Sequence, residues 1–481
     1  MGSPKQPSLG LNFLMNIILT VSGFIFPLIT FPYVSRVLLA EGNGKIQLAV
    51  SFVAYFTMLS QLGIPTYGIR ACAAVRDDKQ ALSRTVHELA MIQGVSTLLS
   101  CGLLALCIAF LPRIAGERAL YTVTGLSVFL GAVGMEWLFK AMEQYTYITL
   151  RSLAMKVISV VAMFLLVRGE GDYVIYAGIS VLASAGSNLL NLTQLRKYIY
   201  LKPVGGYQLR RHIRPVLVLF AYVCATTVYT NLDSVMLGFM TSDAQVGYYS
   251  VAVKLKNILV SVVTALGAVL LPRVSYYYEQ GDLDAFWQMA VKAFRVVLLM
   301  ALPFTAYFML FAGSSIFFLS GDTYGPSVLP MIIIMPTLIC IGLTSVTGVQ
   351  ILIPTKREHH TLIASVLGGI VDVILNAILI PPMGAAGAAV GTLVAELIVL
   401  VYHLAVLRKE LRPVRKEIKL WPMLWAAAAA VLAAFWVPAL GLSDFGTLAV
   451  SAVLFFGAYL LVLFVMKDPF TEDIRKKLQG S

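Results

Sequence analysis

Hydrophobic stretches of membrane-spanning length follow one another along almost the whole chain, with short polar loops between them. A hydrocarbon core about 30 Å thick requires roughly 20 apolar residues in a helix. Fourteen stretches meet this requirement, near 11–33, 45–69, 87–112, 119–140, 148–167, 173–195, 216–241, 245–272, 290–313, 327–354, 361–381, 384–407, 423–440 and 446–466. The sequence therefore predicts an all-α polytopic membrane protein with 14 transmembrane helices.

The basic residues fall almost entirely into every second loop. With the N-terminus on the cytoplasmic side, 29 of the 36 Lys and Arg residues fall on the cytoplasmic side, five fall on the outer side, and Lys254 and Lys256 lie deep within a helix. Such a bias over short loops is the positive-inside rule. It predicts that both termini are cytoplasmic.

Composition and loop length exclude several classes of protein. With 59% hydrophobic and 12% charged residues, and loops of about 20 residues at most, the chain has no room for a soluble catalytic domain. The net charge of +12 indicates topology and contact with anionic lipids, and no nucleic-acid partner. The five cysteines and five histidines lack the positions of an outer disulfide or a zinc site. We expect no catalytic residues, no cofactor and no metal.

A weak internal repeat divides the chain. The segment 36–49 precedes a helix that ends at Pro65, and a similar segment, 235–252, precedes a helix that ends at Pro272. Six helices separate the two copies, so both point the same way across the membrane. This pattern predicts two six-helix lobes related by a parallel pseudo-two-fold axis, followed by two extra C-terminal helices.

The predicted domains follow from this repeat. They are an N-lobe at 1–195 with helices 1–6, a basic cytoplasmic linker at 196–215, a C-lobe at 216–407 with helices 7–12, a second basic linker at 408–422, helices 13 and 14 at 423–466, and a cytoplasmic tail at 467–481. We expect the first linker to fix orientation and to contact anionic lipids. Pro330 and Pro336 indicate a bend in the tenth helix.

Four ionisable side chains lie at a similar depth within the predicted helices. Asp233, Lys254, Lys256 and Asp372 are all roughly 12–17 Å from the outer helix ends. A charge at this depth costs at least about 2.5 kcal/mol, so each needs a partner or a wet cavity. Two interpretations stay open: Asp233 pairs with a lysine for structural reasons, or a lysine binds an anionic headgroup while an aspartate carries a coupling ion.

Further charges lie near the predicted cytoplasmic ends of helices four and five. Glu136 and Lys140 are four residues apart on one helix and are expected to pair with each other. Snorkelling of the side chain to the membrane surface explains Arg151 more easily than Lys156, which lies about 12 Å inside.

Arg36 and Arg70 lie at the ends of the first two predicted helices, on opposite sides of the membrane. Two interpretations stay open for each: anchoring at the membrane interface, or a functional role. Gly387 and Gly391, at the start of the twelfth helix, favour close helix packing over a ligand site.

Several segments, taken together and in order, resemble the oligosaccharide flippases of the polysaccharide transport family. They are Phe31-Pro-Tyr-Val-Ser-Arg-Val-Leu38, Gly44-Lys45, Leu62 to Arg70 with Arg76-Asp-Asp78, Glu136-Trp-Leu-Phe139, Glu143 to Ile148 with Arg151, and Asn231 to Gly238 with Val246-Gly-Tyr-Tyr-Ser250. The resemblance covers roughly residues 11–275, and the last third matches mainly in helix pattern. The superfamily also holds the multidrug and toxin extrusion transporters and the lipid II flippase.

The resemblance implies a V-shaped pair of six-helix lobes around a cationic cavity, alternating access, and a bacterial cytoplasmic membrane. The implied cargo is an undecaprenyl-diphosphate-linked oligosaccharide, either a cell-surface polysaccharide precursor or a teichoic acid precursor. The extra helices thirteen and fourteen are similar to a pair that guides a lipid tail in the lipid II flippase.

Candidate residues for this cargo fall into three groups. Those for the headgroup are Lys254, Lys256, Arg36, Lys156, Arg70, Arg273 and Asn231, and those for ion coupling or structural pairing are Asp233 and Asp372. Polar side chains available for sugars are Asn16, Thr30, Tyr33, Tyr55, Gln61, Thr226, Thr227, Tyr229, Thr230, Asn231, Asn257, Gln350 and Asn376. Whether H+ or Na+ is coupled, and the oligomeric state, are left open by the sequence.

Two other functions compete. A cation-coupled multidrug exporter of the same fold would need a carboxylate in the first helix, which this sequence lacks, and its organic cations would be repelled by Lys254 and Lys256. A membrane-embedded glycan polymerase or ligase would need a large charged outer loop, and the outer loops here are short.

Overall fold

The structure is a computed structural model that describes residues 9–466. The tail predicted at 467–481, Lys5 and both chain ends lie outside the described residues. The described backbone is helical and contains no strand. It divides into two compact units, Met1–Gly247 and Tyr248–Ser481.

Within residues 9–466, 12 helices are long and apolar enough to cross a membrane, or 13 if a bent pair counts as one span. The all-α, multi-pass prediction is therefore confirmed, while the count of 14 stays a prediction. One of the 12 runs over 64 residues, from Gly10 to Ala73, which is far longer than a single crossing needs. Its backbone leaves the helical conformation at Leu39, with φ 54° and ψ −174°.

Ten α-helices belong to the first unit. They are α1 (Leu9–Gln61), α2 (Ile64–Ala73), α3 (Lys79–Phe110), α4 (Pro112–Ala115), α5 (Arg118–Val133), α6 (Glu136–Ala141), α7 (Tyr145–Leu166), α8 (Tyr173–Val181), α9 (Asn188–Tyr198) and α10 (Arg210–Met240). A 3₁₀ turn at Glu170–Asp172 precedes α8, and a π-helical turn at Leu182–Gly186 joins α8 to α9.

The remaining helices belong to the second unit, except that α11 begins in the first. They are α11 (Asp243–Glu279), α12 (Leu283–Leu310), α13 (Ala312–Ser320), α14 (Val328–Ile334), α15 (Thr337–Thr344), α16 (Glu358–Met383), α17 (Ala385–Val406), α18 (Arg408–Glu417), α19 (Leu420–Ala434) and α20 (Asp444–Val465). A π-helical turn at Ser345–Leu352 follows α15, and 3₁₀ turns at Asp322–Ser327 and Val437–Leu440 precede α14 and follow α19.

The bend predicted in the tenth helix is confirmed. The segments Asp322–Ile334 and Thr337–Leu352 meet at 43°, with Pro336 at the junction. A proline lacks the backbone N–H that would continue the helix, and its ring clashes with the preceding turn.

Close packing at Gly387 and Gly391 is also confirmed. A Cβ on Gly387 would overlap the carbonyl oxygen of Leu379, and one on Gly391 would overlap Asn376 and come within 3.1 Å of the Asp372 carboxylate. The small residues of α17 thus let its backbone approach α16.

The last two helices pack against α12 around a buried aromatic cluster. The Tyr307 hydroxyl donates to the carbonyl of Leu448 at 2.9 Å, and the Tyr459 hydroxyl donates to the carbonyl of Leu299 at 3.1 Å. Both bonds satisfy a tyrosine hydroxyl inside an apolar core, which fixes α19 and α20 to the second unit.

In the first unit, the part of α1 that follows the break at Leu39 lies directly against the start of α11. A Cβ on Gly44 would overlap the carbonyl oxygen of Asp243, and one on Gly247 would overlap the carbonyl oxygen of Ala40. Arg113 adds an ion pair to Asp243 at 2.6 Å. This end of the unit, which the charge pattern predicts to be outside, is therefore closely packed.

Candidate functional site

A cavity of about 530 Å³ lies among α1, α5, α8 and α10 of the first unit. We call it the first-unit cavity. It is lined by Val50, Val53, Ala54, Thr57, Met58, Gln61, Thr124, Ser127, Ala177, Ser180, Val181, Ser184, Val223, Thr227 and Asn231. Small-molecule sites in proteins measure about 300–1,000 Å³, so the cavity has the size of a ligand site.

The spacing of the lining residues along each helix places their side chains on the face that borders the cavity. On α10, Val223, Thr227 and Asn231 recur every four residues and so share one face. On α1, Thr57 and Gln61 have the same spacing. The polar cavity wall is therefore built from single stripes on otherwise apolar membrane helices.

Every polar lining residue of the cavity is uncharged. Eight of the 15 side chains carry a hydroxyl or an amide, and the other seven are apolar. Asn231 is the predicted headgroup residue that lines this cavity. Gln61 and Thr227 were predicted as available for sugars, and the structure brings them together with Asn231.

Most of the hydroxyl and amide protons of the lining side chains donate to acceptors in their own helices. The Thr57 hydroxyl donates to the carbonyl of Val53 at 3.2 Å, and the Thr124 hydroxyl donates to that of Leu120 at 2.8 Å. Ser127 and Ser184 do the same at 2.6 and 2.9 Å, with the carbonyls of Thr124 and Ser180 as acceptors.

The two amides of the wall differ. The Asn231 amide nitrogen donates to the carbonyl of Thr227 at 3.0 Å and to the Thr230 hydroxyl at 3.1 Å. In contrast, the Gln61 amide makes no hydrogen bond within residues 9–466, although its nitrogen lies against Gly131.

Lys156 lies outside this cavity, in an apolar groove of about 410 Å³ between α1 and α7. Its ammonium donates to the Ser22 hydroxyl at 2.8 Å. The groove is otherwise walled by aliphatic and aromatic side chains of both helices. Lys156 is therefore a cation on an apolar wall, in a different place from Asn231.

The other predicted site residues are distributed over both units. Arg36 is exposed on α1 and donates to the carbonyl of Pro32 at 2.8 Å. Arg70 on α2 and Arg273 on α11 are also exposed. None of these three arginines lines the first-unit cavity.

The four deep charges divide between the units. Asp233 is buried on α10 in the first unit, whereas Asp372 is buried on α16 in the second. Lys254 and Lys256 are half-buried on α11, also in the second unit. Pairing of Asp233 with either lysine stays a prediction.

The snorkelling interpretation of Arg151 is wrong. Its side chain is 3% exposed and forms an ion pair with Glu136 at 2.9 Å. It also donates to the Ser187 hydroxyl at 2.7 Å and to the Asn188 amide oxygen at 3.0 Å. The three acceptors reach the Arg151 guanidinium because the helical backbone is interrupted at Met135, where φ is 40°, and because a π-helical turn precedes α9. The predicted Glu136–Lys140 pair is confirmed at 2.8 Å.

We expect Arg151→Lys to lower the free energy of unfolding by about 1–3 kcal/mol, because one ammonium cannot reach three acceptors arranged for a guanidinium fork. The matched control is Lys140→Arg, since Lys140 forms its pair at a half-exposed position, where we expect a change below about 0.5 kcal/mol. Melting temperatures in detergent micelles measure both. Equal losses in the two variants would contradict the role given to Arg151.

A second buried network was missed by sequence reasoning. Glu88 on α3 is fully buried and accepts from the backbone N–H of Gln208 at 2.6 Å and from Arg211 at 2.5 Å. His212 contacts the same carboxylate at 2.7 Å, and its other ring nitrogen bonds the Tyr67 hydroxyl at 2.9 Å. Glu88 is the second residue of the predicted stretch 87–112, and a carboxylate inside an apolar stretch was the available signal.

This network changes the picture of the predicted linker 196–215. Gln208 and Arg211 of this linker are held against α3 by Glu88, and His212 is held against α2 by Tyr67. The helix α10 packs on α1 and α2. The linker and α10 therefore belong to the first compact unit, which ends at Gly247. The domain boundaries at 195 and 216 stay predictions about the repeat.

Segments that suggested the family resemblance contact one another in the first unit. Arg76 pairs with Glu143 at 2.7 Å, and this carboxylate raises the pKa of Arg76. Gly44 lies against the backbone of Gly247, which belongs to another of these segments. Widely separated motifs thus form shared contacts.

Comparison with known proteins now identifies the family. The profile of a family described as "Polysaccharide biosynthesis protein" matches residues 9–277, more than half of the chain. The chain belongs to this family. A "Putative O-antigen transporter" of Shigella dysenteriae is 23% identical to this chain over 402 residues, covering 82% of the chain and 98% of the relative.

Solved structures show the fold. A "Lipid II flippase MurJ" in an inward closed conformation matches with a TM-score of 0.72 at 15% identity, covering 95% of this chain and 99% of that one. An inward-facing multidrug resistance transporter of the MATE family, in the MOP superfamily, matches with a TM-score of 0.64 at 13% identity, covering 84% and 99%. The fold is thus shared by flippases and drug exporters.

Proposed function

We propose that this protein is a flippase that moves a polyprenyl-diphosphate-linked oligosaccharide from the inner to the outer leaflet of a bacterial cytoplasmic membrane. The observation that carries the proposal is the first-unit cavity, an uncharged chamber within membrane helices whose wall carries eight hydroxyl or amide side chains. It occurs in a chain that is similar to a putative O-antigen transporter over 98% of that relative. The protein is then a transporter and no enzyme.

The physical need for such a chamber is clear. Sugar hydroxyls and a diphosphate lose water when they enter hydrocarbon, and each lost hydrogen bond costs several kcal/mol without replacement. Hydroxyl and amide side chains at membrane depth replace those bonds. A multidrug exporter of the same fold would instead be served by carboxylates facing an organic cation. The wall of the first-unit cavity supplies none, and Glu41 of α1 pairs with Lys45 at 3.3 Å and does not line that wall.

The diphosphate requires cations that the first-unit cavity lacks. We assign it to the deep lysines of α11, Lys254 and Lys256, with Lys156, Arg36, Arg70 and Arg273 along the route, and we propose alternating access between two lobes. Asp233 and Asp372 are the candidates for binding a coupling ion, H+ or Na+. Undecaprenyl diphosphate is the expected carrier, and anionic membrane lipids are the expected neighbours of the basic loops.

Flipping in proteoliposomes tests this assignment. A polyprenyl-diphosphate N-acetylglucosamine is supplied in the lipid, and an added galactosyltransferase modifies the molecules that reach the outer leaflet. We expect Lys254→Gln or Lys256→Gln to reduce the protein-dependent rate about tenfold or more, since a charge-assisted bond to phosphate contributes about 1.5–3 kcal/mol. Lys292→Gln, an exposed lysine on α12, should leave the rate unchanged.

Unchanged flipping in both variants would end the lysine assignment. If the wild-type protein flips none of the lipid but accumulates a fluorescent organic cation under a proton gradient, the drug-exporter function replaces the proposal. If the added lipid is instead joined into longer glycans, the protein is a polymerase or ligase.

A further inference from the structure

We infer that the first-unit cavity binds the saccharide part of the cargo and excludes the diphosphate, so that sugar and phosphate occupy separate subsites. This inference rests on the proposed flippase function and adds to it the division of the headgroup. It follows from the hydrogen-bonding polarity of the cavity wall.

The wall offers many more acceptors than donors. Thr57, Thr124, Ser127 and Ser184 each use their one hydroxyl proton on a carbonyl of their own helix. Each hydroxyl oxygen then turns only lone pairs toward the cavity. Asn231 is in the same state, because both protons of its amide nitrogen are used and its carbonyl oxygen remains. A ligand rich in O–H donors satisfies such a wall.

A diphosphate does not satisfy it. Phosphate oxygens are acceptors with full negative charge, and they require cations or several N–H donors. No Lys, Arg or His lines the cavity. Facing the phosphate with acceptor lone pairs would leave it desolvated and unpaired, which is strongly unfavourable. The polarity that suits a sugar therefore excludes the anionic linkage.

Gln61 supplies the complementary element. Its amide forms no hydrogen bond within the described part of the chain, so it keeps two N–H donors and one acceptor for a ligand. These N–H donors can orient a sugar through its ring oxygen or amide oxygen. The seven apolar residues of the wall suit the C–H faces of a pyranose ring.

Removing the Gln61 amide is the sharpest test, because it breaks no internal hydrogen bond. Binding of four lipids to the purified protein in detergent is measured by microscale thermophoresis. They are bare polyprenyl diphosphate and polyprenyl diphosphate carrying N-acetylglucosamine, glucose or galactose. We expect the wild-type protein to bind at least one sugar-bearing lipid about tenfold more tightly than the bare lipid. Gln61→Leu should lose most of this preference while its affinity for the bare lipid is unchanged.

Two control variants match the chemistry. Gln47→Leu removes the same amide from α1 at a position where it donates to Ser51 at 3.1 Å and does not line the cavity. Thr226→Val is compared with Thr227→Val, because Thr227 lines the cavity and its neighbour Thr226 is exposed on another face of α10. Gln47→Leu and Thr226→Val should keep the preference for sugar.

The outcomes separate the inference from the proposed function. If the wild type binds bare and sugar-bearing lipids equally, or if Gln61→Leu weakens both equally, the saccharide subsite is wrong while lipid transport stands. If the wild type binds none of the lipids, the proposed function fails and the inference fails with it.

Discussion

Replacing Glu88 by alanine is expected to lower the free energy of unfolding by about 3 kcal/mol or more and the melting temperature by about 5 °C or more. The carboxylate is fully buried and accepts from the Gln208 backbone and the Arg211 guanidinium, and it contacts the His212 ring. Without it, the backbone N–H of Gln208 and the buried imidazole of His212 lose their partner, and an unsatisfied buried group costs about 1–3 kcal/mol. The start of α10 would then separate from α3.

Melting in detergent micelles measures the loss, and limited trypsin digestion localises it. Cleavage after Arg210 and Arg211 should accelerate in Glu88→Ala, because the linker is released. Glu143→Ala is the control, since that glutamate pairs with Arg76 at a half-exposed position and is expected to contribute less than about 1 kcal/mol. If Glu88→Ala melts like the control and is cut no faster, the network does not hold the linker.

Replacing Gly44 by alanine is expected to destabilise the first unit by about 3 kcal/mol. The added Cβ would overlap the carbonyl oxygen of Asp243 and come within 2.8 Å of the backbone nitrogen of Gly247. Both obstacles are backbone atoms that no side-chain rotation can remove. The start of α11 must therefore move away, and the Arg113–Asp243 ion pair of 2.6 Å is lost with it.

Gly102→Ala on α3 is the matched control, because no atom lies within 4 Å of the position that its Cβ would take. We expect that variant to gain about 0.5–1 kcal/mol, the usual benefit of alanine over glycine inside a helix. Melting temperatures compare the two directly. A Gly44→Ala protein as stable as Gly102→Ala would show that the start of α11 adapts without loss of stability.

Helix positions were predictable because each membrane crossing needs a long apolar run, and that run is a local property. The bend at Pro336 was predictable for the same reason, since proline acts on its own helix. Leu39 and Met135 have a positive φ, which large apolar residues rarely adopt. Neither residue type therefore gave a local signal that the helix breaks there. Neighbouring segments impose these conformations.

The candidate site was predictable in part. Gln61, Thr227 and Asn231 could be named as polar residues of membrane helices, yet only helix packing shows that they face one cavity. Arg151 was misread because its partners, Ser187 and Asn188, lie 36 and 37 residues away. Pairing at such separation depends on tertiary contacts that a single sequence pattern does not contain.

The sequence by itself determined the class of protein, the apolar crossings, the loop charges and the family resemblance. These depend on transfer from water to lipid and on short motifs, which act residue by residue. The tertiary structure alone decided that Glu88 holds the linker, that α10 belongs to the first unit, and that an uncharged cavity forms beside it. The reason is that buried polar groups must find partners, and the partner is chosen by packing between helices distant in the chain.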